Sequence, residues 1–179
     1  MVFGDPNRFA VIVKVIDEWN EKRELRSRLK FYNGILIFCV DGFLFPQVEV
    51  AVSSLCVDVP WFIRLIECVP NADKYDLFEL DKVDTFCFLL NNSFSDTKEN
   101  DDVRYFLVSP PTLSDKQNMI FFIKKDNMFR IIASHVEYDL ERSDYYLGSN
   151  IIRETYISVN EIEPIIEGLK GFIEIGFDL

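Results

Sequence analysis

The sequence is poor in histidine and glycine, with a single histidine, His135, and 7 glycines in 179 residues. Each shortage removes a class of chemistry. A histidine base needs a nucleophile and an orienting group within reach, and no GxSxG elbow or HExxH pair is present. Ser134 stands directly before His135, but neighbours on a strand point to opposite faces. His135 therefore reads as a structural or surface residue; the alternative is a small enzyme in which His135 works with nearby acids. No glycine-rich phosphate cradle exists. The four cysteines, at 39, 56, 68 and 87, contain no CxxC pair. Zinc sites favour close pairs, and disulfide frameworks belong to short secreted chains. Their apolar neighbours predict four buried, reduced thiols in a reducing compartment. No apolar run approaches the roughly 18 residues of a spanning helix. The first such run, 9–16, is interrupted by Lys14 and lacks a basic leader, so the expected location is the cytoplasm.

Positive charge is also short: 19 basic residues against 30 acidic, a net charge of −11. Such a surface repels phosphate backbones and anionic lipid. Direct binding to nucleic acid or membrane is not expected, and a basic protein partner is. The plainer reading is that the charge keeps an apolar-rich chain soluble. The balance is uneven, +2 over residues 1–30 and −13 over 31–179. The basic cluster Lys22, Arg23, Arg26, Arg28 and Lys30 reads as part of a solvated segment. Asp76, Glu79, Asp81 and Asp84 lack the glycine and closing glutamate of a calcium loop. No metal or cofactor site is expected, and enzyme is the weaker class.

What is present is a large apolar share, 49 % hydrophobic with 17 Phe, enough for one substantial core. GDPNRFA, at 4–10, is a turn that folds the first residues back onto a strand at 9–16. Apolar runs at 31–40 and 43–46 flank Asp41-Gly42, the dipeptide that suits a two-residue hairpin turn. Further strands are predicted at 51–57, 75–80, 83–90, 103–109, 119–124, 128–134 and 151–157. A helix over 61–68 would start at Asp58 as N-cap and carry Trp61, Leu65 and Cys68 on one face. Segment 91–102 is a polar loop, and 135–150 is part strand, part loop. Ser158 and Glu161 form a capping box, followed by the apolar stripe Val159, Ile162, Ile166, Leu169 and Ile173. The expected fold is α+β, a single domain over 1–179: a mostly antiparallel twisted sheet of about eight strands, one internal helix, and a C-terminal helix packed on it.

Two acidic stretches are candidate interaction sites. One is Asp96, Glu99, Asp101 and Asp102. The other is Glu137, Asp139, Glu141 and Asp144, interleaved with Tyr138, Tyr145 and Tyr146. Tyrosine amid carboxylate offers rigid, amphipathic area with attraction for Lys and Arg. The alternative is a solvated loop face.

The opening pattern Gly4-Asp5-Pro6, Phe9-Ala10-Val11, Glu18-Trp19-Asn20 resembles the start of the immunity protein 42 family of bacterial polymorphic-toxin systems. The order of Asn33-Gly34, Asp41-Gly42 and Phe45-Pro46 is similar, and so is the closing strand into the Ser158 helix. The specific likeness covers residues 2–46. It implies a role rather than a reaction: a cytoplasmic protein, including in contact-dependent growth-inhibition systems, that binds and neutralises the C-terminal toxin domain of a cognate effector. Many such toxins are nucleases with basic clefts, and an acidic inhibitor is their electrostatic counterpart. A generic protein-interaction adaptor is the remaining alternative.

Overall fold

The computed structural model describes residues 1–20, 33–47, 49, 52–72, 76–94, 103–141 and 143–177. The chain opens with a hairpin of β1 (Val2–Asp5) and β2 (Phe9–Val15). Gly4 has φ +102°, and a Cβ there would collide with the Phe9 carbonyl, so the close approach of the two strands needs glycine. The Asp5 carboxylate accepts the Asn7 amide at 2.9 Å, and the Met1 amino group donates to the Val13 carbonyl at 2.7 Å. The expected fold-back of the first residues is what the structure has. A 3₁₀ turn at Asp17–Trp19 follows; the basic cluster at 22–30 lies outside the described residues.

β3 (Asn33–Val40) and β4 (Phe43–Phe45) flank the Asp41-Gly42 turn, with φ of 51° and 75°. Both central residues are left-handed, as a primed turn requires. β3 pairs with β2 from Phe9↔Val40 to Val15↔Gly34 and with β5 (Ser53–Ser54). These strands form a five-stranded antiparallel sheet.

The predicted strand at 51–57 gives way to α1 (Leu55–Cys68) after two strand residues. Leu55 is fully buried and packs where Gly34 leaves room for it. That seats the helix a turn earlier than Asp58 would as a cap. Asp58 is instead inside α1, buried, and its carboxylate accepts a hydrogen bond from the Thr112 hydroxyl at 2.7 Å. The buried face is Leu55, Val59, Phe62, Ile63 and Ile66, and Trp61 faces outward.

The largest departure lies at 83–90. The residues expected to extend form α2 (Lys82–Ser93), capped by the Asp81 side chain on the Val83 amide at 2.8 Å. Thr85, Phe86, Leu89, Leu90 and Ser93 are buried, a helical spacing. The continuous apolar run Phe86–Leu90 hides that period from a reading of the sequence. Of the strand expected at 75–80, residues 76–80 form a turn with Asp76 at φ 49°. Residues 103–106 form a helical turn rather than strand, leaving one bridge, Leu107 to Phe121. Pro111 opens the short α3 (Pro111–Ser114).

β6 (Asn118–Lys125) and β7 (Met128–His135) form a hairpin around Asp126, at φ 52°. β8 (Glu137–Asp139) and β9 (Asp144–Tyr146) make a separate two-stranded ribbon. β10 (Arg153–Ser158) pairs with β7, giving a second sheet in the order β10-β7-β6. α4 (Val159–Phe177) closes the described chain. Half of the expected capping box is in place: the Glu161 carboxylate accepts the Ser158 amide at 2.8 Å, and the Ser158 hydroxyl donates to the same carboxylate at 2.8 Å. Ile162, Ile165, Ile166, Leu169 and Phe172 are buried.

The α+β, antiparallel architecture with a C-terminal helix is thus as expected. Among the described residues ten strands divide among three sheets, and the internal helices exceed the one predicted. The sheets meet in a phenylalanine core, with the Phe9 and Phe122 rings 5.2 Å apart and Phe38 and Phe62 4.6 Å apart. All four cysteines are free, but only Cys39 is buried; Cys56 and Cys87 are half-buried and Cys68 is exposed. Cys68 ends α1 on its outward side, where the apolar sequence around it is no guide to burial. Among the described residues, no helix is long and apolar enough to cross a membrane.

Candidate functional site: an acidic hairpin lined with tyrosine

The β8–β9 ribbon is short and forms a sheet of its own. Two strands of three residues cannot hold themselves together in water, so side chains must anchor them. Tyr138 and Tyr145 are directly opposite, with ring centroids 5.0 Å apart in an edge-to-face arrangement. Phe94, the C-cap of α2, places its ring 4.8 Å from Tyr145 on the other side. The hairpin is therefore fastened to α2 through Tyr145, while Tyr138 and Tyr146 remain exposed.

Glu137 and Tyr146 form the next pair. The Tyr146 hydroxyl donates to a Glu137 carboxylate oxygen at 2.7 Å. That bond favours the protonated phenol and raises its pKa above the ordinary tyrosine value. Gly148, at φ 60°, lets the following chain pass against the Glu137 carboxylate, where a Cβ would collide. The third pair sets Asp139 opposite Asp144. Like charges facing across a ladder disfavour the hairpin by themselves. Each carboxylate accepts a local amide, Asp139 from Glu141 and Asp144 from Tyr145, both at 2.8 Å. These bonds fix the side chains. Asp139, Asp144, Tyr145 and Tyr146 line a 340 Å³ cleft.

The structure thus brings Glu137, Tyr138, Asp139, Asp144, Tyr145 and Tyr146 together, with Glu141 exposed at the tip. Asp96, Glu99, Asp101 and Asp102 lie outside the described residues. Two contributors were missed: Phe94, which buttresses the ribbon, and Leu140, 85 % exposed at its tip. An isolated aromatic in a polar run and a lone leucine between two acids were the available signals.

The chemistry on offer is recognition of cations. Carboxylates and phenol rings suit Arg and Lys through charge-assisted hydrogen bonds and ring-face contacts. His135 stands apart from such work. It pairs across the ladder with Asn118, and its Nδ1 is buried with no hydrogen-bond partner. The Ser134 hydroxyl donates to the carbonyl of His135 and to that of Ile151. No nucleophile, base and orienting acid converge there among the described residues. Among the described residues, no cluster of three metal-ligating side chains is present.

The architecture places the chain in a structural class already seen in crystals. It superposes on the crystal structure of CdiI from Burkholderia dolosa AUO158 with a TM-score of 0.70 at 23 % identity, covering 96 % of this chain and 99 % of that one. At that identity the likeness is one of fold. No curated protein sequence matches the chain. The family model of immunity protein 42 matches residues 1–172, and the chain belongs to that family. It is an immunity protein, a class that acts by binding and neutralising a cognate toxin.

Proposed function

We propose that the toxin neutralised by this protein is a nuclease, and that neutralisation is occlusion of its basic substrate cleft by acidic surface. The contact is made by the hairpin residues Glu137, Tyr138, Asp139, Glu141, Asp144, Tyr145 and Tyr146, joined by Asp96, Glu99, Asp101 and Asp102 from the 91–102 segment. The observation that carries the reading is the gathering of Glu137, Asp139 and Asp144 with the exposed Tyr138 and Tyr146 on one hairpin of a chain of net charge −11. Carboxylates set beside phenol rings take up the cations of a partner through charge-assisted hydrogen bonds and ring-face contacts. A nuclease cleft supplies several, because its substrate is a polyanion. Tyr138 and Tyr146 add contact area at low entropic cost. The protein then works in the cytoplasm, binds neither nucleic acid nor membrane itself, and needs no cofactor and no catalytic residue.

The test is to purify the chain with the C-terminal toxin domain of the effector encoded beside it. The toxin's cleavage of DNA and RNA is then assayed with and without the protein. The reading predicts a complex and loss of cleavage in proportion to the protein added. An uncomplexed toxin with undiminished cleavage rejects the immunity mechanism. A neutralised toxin that cleaves no nucleic acid rejects the nuclease assignment.

A further inference from the structure

A second concave surface lies where the connector after the acidic hairpin reaches β10. It is a 480 Å³ groove whose walls include Phe43 and Leu44 of β4, Ile151, and Arg153 of β10. Three of these, Phe43, Leu44 and Ile151, are exposed apolar side chains. They stand on a surface where single exposed apolar residues are ordinary, but a contiguous group around a concavity is not. The connector is held: Ile152 is buried, and the Asn150 side chain donates to the Leu147 carbonyl at 3.1 Å. The groove is therefore built on fixed backbone.

Arg153 gives the groove its chemistry. Its guanidinium carbon lies 3.0 Å from the centre of the Phe43 ring. Its Nε is buried and has no hydrogen-bond partner. An arginine in a protein so rich in carboxylate would be expected to find one. Arg130, on the adjacent strand β7, bonds Glu154 at 2.6 Å. Arg153 instead rests on an aromatic face, and a buried N–H without a protein partner carries a desolvation cost that an acceptor reaching it removes.

We infer that this groove is a second toxin contact, taking a segment in which a carboxylate side chain sits beside an apolar one. The inference rests on the toxin-binding reading above. The carboxylate pairs with Arg153, while the apolar neighbour covers Leu44 and Ile151. Charge complementarity selects this occupant: the hairpin recruits the basic rim of the partner, and Arg153 offers the opposite sign nearby along the chain. The combination also discriminates, because a toxin that presented a lysine at this position would meet an unshielded guanidinium.

The test is titration of the purified toxin domain with wild-type protein and with Arg153→Gln, Ile151→Glu and the hairpin variant Asp139→Asn/Asp144→Asn. Arg153→Gln is expected to weaken binding by on the order of ten- to a hundred-fold, mainly through faster dissociation. Its melting temperature stays near that of the wild type. Ile151→Glu, a change at an exposed side chain, weakens binding in the same way. If both groove variants bind like the wild type while the hairpin variant is impaired, the groove is rejected and the toxin-binding reading stands. If Arg153→Gln loses affinity only together with thermal stability, and Ile151→Glu binds normally, Arg153 is structural and the inference is overturned. Dimerisation of the free protein that Ile151→Glu abolishes would assign the groove to a second copy and overturn it too. A wild-type chain that does not bind the toxin rejects both readings.

Discussion

Replacing Arg130 with methionine should loosen the joint between the second sheet and α2 far more than a surface arginine would. Arg130 is 2 % exposed in the middle of β7. Its Nε donates to Glu154 at 2.6 Å, and its Nη1 to the Leu77 carbonyl at 2.5 Å and the Thr85 hydroxyl at 3.2 Å. One guanidinium therefore ties β10, the turn before α2, and α2 itself to the sheet. Methionine fills much of the space but strands the partners. Breaking a buried ion pair by removing one member costs about 3–5 kcal/mol. Thr85 keeps a bond to the Asp81 carbonyl at 2.8 Å, and Glu154 keeps contact with water, so the lower end applies, about 3 kcal/mol. With a urea m-value of about 2 kcal/mol/M for a domain of this size, the midpoint should fall by about 1.5 M. Equilibrium urea unfolding followed by fluorescence and circular dichroism reads the shift. The double variant Arg130→Met/Glu154→Leu should recover at least about 1 kcal/mol of the summed single losses, because it removes the orphaned charge. A midpoint shift below roughly 0.5 M, or strictly additive variants, would refute the clamp.

Gly4→Ala should cost about 1–3 kcal/mol, since it combines a left-handed φ with a collision at the Phe9 carbonyl; thermal unfolding checks this, and a neutral result would show that the β1–β2 hairpin rearranges freely. Burial raises the Asp58 carboxyl above the ordinary aspartate value, against the opposing hydrogen bond from Thr112. The folded state then holds that proton more tightly than the unfolded chain. Stability from this group falls as pH rises from the unfolded value through the folded one, and levels off above it. Asp58→Asn can still accept the Thr112 hydroxyl, so it should gain on the wild type across that interval and hold the gain at neutral pH; parallel stability profiles for the two proteins from acid to neutrality would contradict the assignment.

The legible parts of the fold are those where a local motif carries its own geometry. Asp41-Gly42 announces a primed turn, and the structure has both residues at positive φ. Ser158 and Glu161 announce a helix start, and the Glu161 carboxylate reaches back to the Ser158 amide and hydroxyl. The α2 region was opaque for a physical reason. A run such as Phe86–Leu90 satisfies strand and helix alike, and the deciding contact is the Phe86 ring 5.4 Å from Phe121, more than thirty positions away. Arg130 was equally hidden: an arginine between Phe129 and Ile131 reads as outward-facing until Leu77, Thr85 and Glu154 are gathered around it. The acidic tyrosine segment was legible in composition but not in pairing. That Asp139 faces Asp144, that Tyr138 faces Tyr145, and that Phe94 buttresses the ribbon all depend on register and on the position of α2. The Arg153 groove had no sequence signal, because it forms between β4 and β10, on opposite sides of most of the chain.

The association rate of the chain with its cognate toxin domain, measured by stopped flow at several salt concentrations, tests the central claim most directly. Wild-type protein should associate fast at low salt and slow steeply as salt rises, because acidic surface steers it to a basic cleft. Asp139→Asn/Asp144→Asn should associate more slowly at low salt with a shallower salt dependence, the two proteins converging at high salt. Identical salt profiles for the two proteins would contradict an acidic hairpin at the toxin interface.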